Sequence, residues 1–232
     1  MIEEEAAVPE DEADEVALTG KVRDKLVETK QAWARDGRLL TGTTANPAAM
    51  RLPPGQRLVT DFPVLDLGVQ PDVAPDKYRL RVEGLVAAPL RLTLAEFLAL
   101  PQATRTNDIH CVTQWSRYDN RWDGVPVTEL LALARPKDEA RFVSLTSYDG
   151  YTTNLAMEDF ARPENLFAHG WEGAPLERKH GGPVRLVVPH LYFWKSPKWL
   201  TRVELLREDR PGFWEVRGYH NRGDPWMEER YG

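Results

Sequence analysis

One cysteine, Cys111, is the whole thiol content of this 232-residue chain. A fold stapled by intramolecular disulfides is therefore excluded, and so is every multi-cysteine zinc or iron–sulfur site within one chain. The fold has to be held by an apolar core, and 42% hydrophobic residues over this length can build one. If a metal is bound through sulfur, one thiolate must suffice.

The elements that could build the core are short. Thr19 to about Arg38 reads as a helix, with Val22, Leu26, Thr29 and Trp33 on one face of a 3.6-residue period and Gly37 near its end. Residues 41–55 read as loop, broken by Asn46-Pro47 and Pro53-Pro54-Gly55. Strand candidates follow at Arg57–Thr60, at Val64–Leu67 and, with clean alternation, at Tyr78–Gly84. Thr93-Leu94-Ala95-Glu96 has capping-box spacing and opens a helix that must stop by Pro101. Residues 106–112 and 141–147 read as strands with a short helix near Val127–Ala134 between them. A further helix is expected around Met157–Ala161, and strands at Arg185–Val188 and Trp199–Leu206. The tail 211–232 reads as loop, rich in aromatic residues. Strands and short helices alternate without the βαβ rhythm of a doubly wound sheet, so the expected class is α+β, with mixed β-sheets and short helices. There is no G-x-G-x-x-G and no Walker A loop, which removes the main support for nicotinamide or P-loop chemistry.

The formal charge of −6 hides an uneven distribution. Residues 1–20 hold eight acids and no Lys or Arg, leaving 30 basic against 28 acidic residues for 21–232. The expectation is a disordered acidic extension on a nearly neutral body, divided as 1–50 (acidic tail and N-terminal helix) and 51–232 (catalytic domain). No strongly basic face points to nucleic acid. The longest apolar runs, such as Leu186-Val187-Val188, are too short for a membrane span. The acidic start lacks the features of a secretory signal, so a cytoplasmic location is the default expectation.

Three constellations carry chemistry. The first is Asp108-Ile109-His110-Cys111-Val112-Thr113-Gln114-Trp115-Ser116. A lone cysteine is more often an apolar filler than a reactive group. Here it ends an expected strand, beside His110 and before a polar, aromatic loop, a placement that suits a thiolate at the mouth of a sheet. The second is Lys179-His180-Gly181-Gly182-Pro183-Val184-Arg185, whose glycines could let backbone N–H groups approach an anion. A tight turn into a buried strand is the plainer reading. The third, Lys195-Ser196-Pro197-Lys198-Trp199, crowds two cations and a hydroxyl into one turn, which a solvated charged turn would also explain. Together they suit a phosphorylated, metal-bearing cofactor, although spacing alone does not name it.

From about residue 53 to 206 the chain resembles the molybdopterin-binding domain of the sulfite oxidase family. The carriers are the Cys111 segment, Trp122-Asp123-Gly124-Val125-Pro126, Leu166-Phe167-Ala168-His169-Gly170, Gly173-Ala174-Pro175-Leu176, His180–Arg185 and Lys195–Leu200. Arg51–Gln56, Phe62–Leu65 and Gly218-Tyr219-His220 are similar to a subgroup of small bacterial sulfite oxidase-like proteins, related to the methionine sulfoxide reductase catalytic subunit. The resemblance implies a sulfite oxidase molybdopterin-binding fold and a molybdenum–molybdopterin cofactor in its monophosphate form. It implies Cys111 as the metal ligand, and His180, Arg185, Ser196 and Lys198 as holders of the pterin and its phosphate, with Lys195 and Thr146 as additions. Thr60, Asp61, Pro63 and Val64 match a cofactor-contacting loop of the sulfoxide reductases, but Asp61-Phe62-Pro63-Val64 stands where an Asn and a Tyr are expected. The Arg-rich segment that follows the cysteine in sulfite oxidases is reduced to Arg117, and no haem module or appended dimerisation domain is visible.

The function these features imply is oxygen-atom transfer on a small sulfur oxyanion or sulfoxide. Electrons would be exchanged with a separate redox protein such as a flavin reductase, cytochrome or ferredoxin. Beside Cys111, the residues expected to meet a small-molecule substrate are His110, Gln114, Trp115, Arg117, Tyr118 and His169. Two other classes stay open at this point, a Cys111–His hydrolase and a cofactor-free binding module. Oligomeric state is not legible.

Overall fold

The structure, a computed structural model, describes residues 10–35 and 51–232. In chain order its elements are α1 (Glu10–Arg35), β1 (Arg57–Leu58), β2 (Arg79–Gly84), β3 (Leu90–Thr93), α2 (Leu94–Leu98), β4 (Ala103–His110), β5 (Trp115–Pro126), α3 (Val127–Ala134), β6 (Phe142–Ser147), β7 (Thr152–Ala156), α4 (Met157–Phe160), β8 (Leu166–Trp171), β9 (Ala174–Pro175), β10 (Arg185–Val187) and β11 (Leu200–Leu206). One sheet runs β1-β5-β8-β10, with β4 also paired to β5 and β9 to β8; the other runs β3-β2-β11-β6-β7. Most pairs are antiparallel, while β1 with β5 and β2 with β11 are parallel. This mixed, helix-poor arrangement is α+β, as the alternation of short elements predicts.

Period-2 alternation explains how the first sheet serves two cores at once. Along β10, Leu186 enters one apolar cluster and Val187 the other. Along β8, Phe167 faces the first, while Leu166 and Ala168 face the second. The first cluster joins both sheets to α2, α3 and α4 through Leu80, Val82, Phe97, Leu130, Phe160 and Val203. The second contains Cys111, Trp115, Trp122, Tyr192, Trp194, Trp214 and Tyr219, and reaches Val27 of α1. The candidate site lies in this second, aromatic cluster.

Local signals set several boundaries. Thr93 closes a capping box on α2, its hydroxyl accepting from Glu96 N while the Glu96 carboxylate accepts from Thr93 N. Helix α3 ends where Arg135 turns left-handed at φ 53°.

Other boundaries differ from the expectation. Helix α1 begins at Glu10, so residues 10–20 are helical rather than a disordered extension; Ala, Glu and Leu are strong helix formers, and charge alone does not undo that propensity. Of the loop expected at 41–55, residues 41–50 lie outside the described residues. Val64–Leu67 forms no strand: Pro63 offers no N–H, and the Asp66 carboxylate turns the chain by accepting from Gly68 N at 2.9 Å. The stretch after Cys111 is a tight turn followed by the 12-residue strand β5, not a loop. Its charged residues mask the pattern because they are satisfied in pairs, Asp119 with Arg51, Arg117 with Glu172 and Arg121 with Asp123.

Strand β5 meets β8 at close quarters, and a Cβ on Gly124 would lie 2.2 Å from Phe167 O. Gly124→Ala is expected to destabilise the protein by about 1–3 kcal/mol, read as a lower urea midpoint at unchanged m-value.

Candidate active site

Cys111 occupies the first corner of the β4–β5 turn. Its N–H donates to Trp115 O at 2.8 Å, its carbonyl accepts from Gln114 N at 3.0 Å, and Gln114 takes φ 67° to close the loop. Gln56 Nε2 holds the same carbonyl from outside at 3.1 Å, and Ser116 Oγ donates to Gln56 Oε1 at 3.2 Å. The backbone around the thiol is thus pinned on both sides, and Sγ lies 3.2 Å from Thr113 Oγ1. Burial pushes the thiol pKa up, with the Thr113 contacts and the charge of Lys30 only partly opposing it. A buried thiol of this kind ionises readily only against a cation, which is what a coordinated metal supplies.

Cys111 faces an open-mouthed cleft. Trp115, Tyr151, Phe193, Trp194, Trp214 and Tyr219 give it aromatic walls. Among the described residues the buried Trp115 Nε1 has no hydrogen-bond partner. The charged lining residues are Lys30, Asp66, Asp149, Lys179, His180, Arg185 and Lys198.

Two loops build the cationic end, and Arg185 ties them together. Its Nη1 donates to His180 O and its Nη2 to Ser196 O, each at 2.8 Å, with the guanidinium stacked 4.2 Å from the Phe193 ring centroid. Lys198 Nζ reaches back to Lys179 O at 3.0 Å, and Trp199 Nε1 to Arg178 O at 2.8 Å. Ser196 Oγ accepts from Val188 N at 2.9 Å, which leaves its own hydroxyl hydrogen for a ligand. The His180 ring stacks on Phe62 at 4.1 Å and 4°.

Burial, with neighbouring positive charge second, sets the pKa values here. Burial, then Arg185, brings Lys198 down to about 7, and burial alone brings Arg185 down to about 9. Burial, with Arg185 and Lys179, brings His180 down to about 4. Burial works against the Asp66 carboxylate, but hydrogen bonds from Gln70 and Gly68 and the charges of Lys198 and Lys30 outweigh it. Basic groups held below their ordinary pKa beside a cleft are relieved by an anion. The donor set fits a phosphorylated, metal-bearing cofactor: cations, a hydroxyl and a thiol around one aromatic-walled cleft.

Pro63, Val64, Cys111, Trp115, His180, Arg185, Ser196 and Lys198 converge on the cleft. Other residues named from the sequence do not line it. Thr60 and Asp61 are exposed, and Thr146 pairs with Arg202 and Thr152 within the second sheet. His110 is buried behind the turn, its Nδ1 2.8 Å from Ser116 Oγ, and burial lowers its pKa to about 4. Arg117 pairs with Glu172 and stacks on Trp171, while Arg51 lies over the Tyr118 ring. His169 lies 3.0 Å from Gln102 Oε1 at the edge of α2, and Gln114 serves the turn. Among the described residues no histidine is hydrogen-bonded to Sγ, so a Cys–His dyad has no geometric support.

Lys195 is the clearest displacement from the sequence reading. It is fully buried, with Nζ 2.6 Å from Glu215 Oε1 and 3.0 Å from Asn154 Oδ1. Glu215 also accepts from Thr153 Oγ1 and Trp194 Nε1, each at 3.0 Å, so the pair supports the aromatic wall from behind. The glycine loop differs too. The N–H groups of Gly181 and Gly182 are spent on Arg178 O and Glu177 O. Those residues are small because a Cβ on Gly182 would lie 2.0 Å from Leu176 O, and Gly181 sits at φ 111° against Lys198. Lys30, Asp66, Asp149 and Tyr151 escaped the sequence reading. They are single polar residues with no local pattern, assembled only by the fold.

The sequence profile of the family described as oxidoreductase molybdopterin binding domain matches residues 67–214. An uncharacterized oxidoreductase of Bacillus subtilis, YuiH, is 47% identical over 182 residues, covering 78% of this chain and 92% of its own. The protein-methionine-sulfoxide reductase catalytic subunit MsrP of Campylobacter jejuni is 29% identical over 155 residues, 60% of this chain and 52% of its own. Against that subunit the chain thus spans about half the length. Among solved structures, the sulfane dehydrogenase SoxCD of Paracoccus pantotrophus has the same fold at a TM-score of 0.58 and 23% identity, over 68% of this chain and 46% of the other.

Two predictions follow from the geometry. Lys195→Met is expected to cost about 3–5 kcal/mol of stability by leaving Glu215 buried and unpaired, with Lys195→Met/Glu215→Leu recovering most of it; chemical denaturation reads both. Sulfate, a dianion throughout, is expected to raise the melting temperature of cofactor-free protein at pH 6. That effect should fade above pH 7 as Lys198 loses its proton, His180 being already neutral. Lys198→Met should remove the pH dependence in the same thermal scan.

Proposed function

Starting from a chain that belongs to the oxidoreductase molybdopterin-binding domain family, we propose that it transfers an oxygen atom to or from a small sulfur oxyanion or sulfoxide. The observation that carries this is the cleft itself, lined by Cys111 on a pinned turn together with Lys198, Arg185, Ser196 and His180. When bound, the molybdenum–molybdopterin group supplies the two-electron couple and the exchangeable oxygen.

The chain's own residues hold and insulate that group. Cys111 supplies the one thiolate to the metal. Lys198 and Ser196 bind the phosphate directly, while Arg185 fixes the spacing of the loops that carry them. Neutral His180 offers a ring nitrogen as donor or acceptor to the pterin, its plane set by Phe62. The tryptophans and tyrosines exclude water from the middle of the cleft, which strengthens each electrostatic contact there.

For a sulfur substrate, support comes from relatives named as methionine-sulfoxide reductase subunits. Within the same proposal, the two electrons pass to or from a separate redox protein. The word subunit in those names supports a partner. Arg117, committed to Glu172 and Trp171, is not available to hold a substrate anion in this geometry. A substrate recognised by shape, such as a sulfoxide, is favoured on that account over sulfite.

The test is molybdenum and released pterin per chain for protein made in a cofactor-competent host. Near-stoichiometric amounts are expected, with turnover of sulfoxides exceeding that of sulfite. Cys111→Ser should lower turnover at least about a hundredfold while the fold and much of the pterin remain. Normal turnover in that variant would overturn the role given to the thiol.

A further inference from the structure

Helix α1 lies outside the span matched by the family profile, yet it contributes Lys30 to the lining of the cleft. Val27 and Ala34 are buried, and Leu26 packs at Gly68. Arg23 stands 4.9 Å over the Phe213 ring, and Gln31 Nε2 donates to Arg217 O at 2.9 Å. The helix therefore touches the 66–68 loop on one side of the mouth and the 213–217 segment on the other. Both segments contribute lining residues, Asp66 and Trp214.

Lys30 projects from this helix into the lining. Its ammonium donates to the backbone carbonyl of Asp66. The Asp66 carboxylate is otherwise engaged, by Gln70 at 2.7 Å, Gly68 N at 2.9 Å and Lys198 at 3.9 Å. Lys179, the remaining lysine of the lining, is paired with Glu177 at 2.9 Å. What is left is Lys30, Arg185 and Lys198 against Asp66 and Asp149. Lys30 thus adds a third basic group to Arg185 and Lys198, against two carboxylates.

We propose that α1 is a clasp across the cofactor cleft and that Lys30 is a further anchor for the anionic phosphate end of the pterin. The inference rests on the molybdopterin reading above and deepens it. A helix that joins the second core at its edge, through Val27, can open at lower free energy than the sheets beneath it, which would let a large cofactor enter.

The experiment uses the full chain, loaded in a cofactor-competent host, as wild type, Lys30→Gln and Lys30→Arg. Pterin release is followed by fluorescence during dialysis against 0.5 M salt, roughly, a concentration that screens exposed charges. Lys30→Gln is expected to lose pterin about tenfold faster, and Lys30→Arg to hold it nearly as wild type does. Melting temperatures of the cofactor-free proteins control for folding. Limited proteolysis should cut α1 faster in stripped than in loaded wild type. Equal release from wild type and Lys30→Gln, or α1 cleavage indifferent to the cofactor, overturns the clasp while leaving the molybdopterin reading intact. A wild type carrying neither metal nor pterin overturns that reading, and the clasp with it.

Discussion

The guanidinium of Arg185 is the contact on which the cationic half of the cleft depends. It is almost wholly buried, and its charge is met by two carbonyl oxygens and an aromatic face. Hydrogen bonds to a charged donor contribute more than neutral ones, which offsets part of the cost of burying the ion. The consequence is geometric. Because the two carbonyls belong to His180 and Ser196, the loops bearing His180, Ser196 and Lys198 cannot drift apart without stranding a buried charge. Gly181 and Gly182 serve the same closeness, since side chains there would collide with Lys198 and with the backbone at Leu176.

The other half depends on a turn. Strands β4 and β5 would pair without any particular residue at position 111, but the closure, with Gln114 left-handed, presents one side chain at the mouth of the cleft. Burial that disfavours the free thiolate also keeps water away from it. The group is therefore quiet until a cation arrives. This argues against a thiol hydrolase more firmly than any missing signature does, because a nucleophilic cysteine needs its thiolate favoured before substrate binds. His110, next in sequence, is held away by its contact with Ser116.

Much of the fold was legible because its signals are local: the capping box at Thr93, the alternation in Arg79–Gly84, the apolar period of Val127–Ala134. Strand β5 was not, since Asp119 and Arg117 are neutralised by Arg51 and Glu172, partners no local window of sequence contains. In the site, the expected residues that the structure brings to the cleft lie inside contiguous blocks, among them Cys111, His180, Arg185, Ser196 and Lys198. Lys195 stands away from the cleft for the reverse reason. A lysine next to a hydroxyl and three residues from a second cation reads as a ligand-binding group, and only the fold brings Glu215 beneath it. Lys30, Asp66 and Asp149 carry no pattern at all.

The placement of Lys195 bears on how the cleft can move. Glu215 joins it to Asn154, Thr153 and Trp194, so the aromatic wall behind the cofactor is anchored through a buried ion pair to β7 and to the chain's C-terminal segment. Removing one partner of such a pair is costly, which makes that wall the rigid one. Helix α1 leans on this same C-terminal segment, through Arg23 over Phe213 and Gln31 on Arg217 O, and reaches the 66–68 loop through Leu26 and Lys30. The charge that Lys30 brings thus enters the cleft from a helix braced against the locked wall, and an anionic cofactor that pairs with Lys30 would tie the helix to the cleft from its other contact as well.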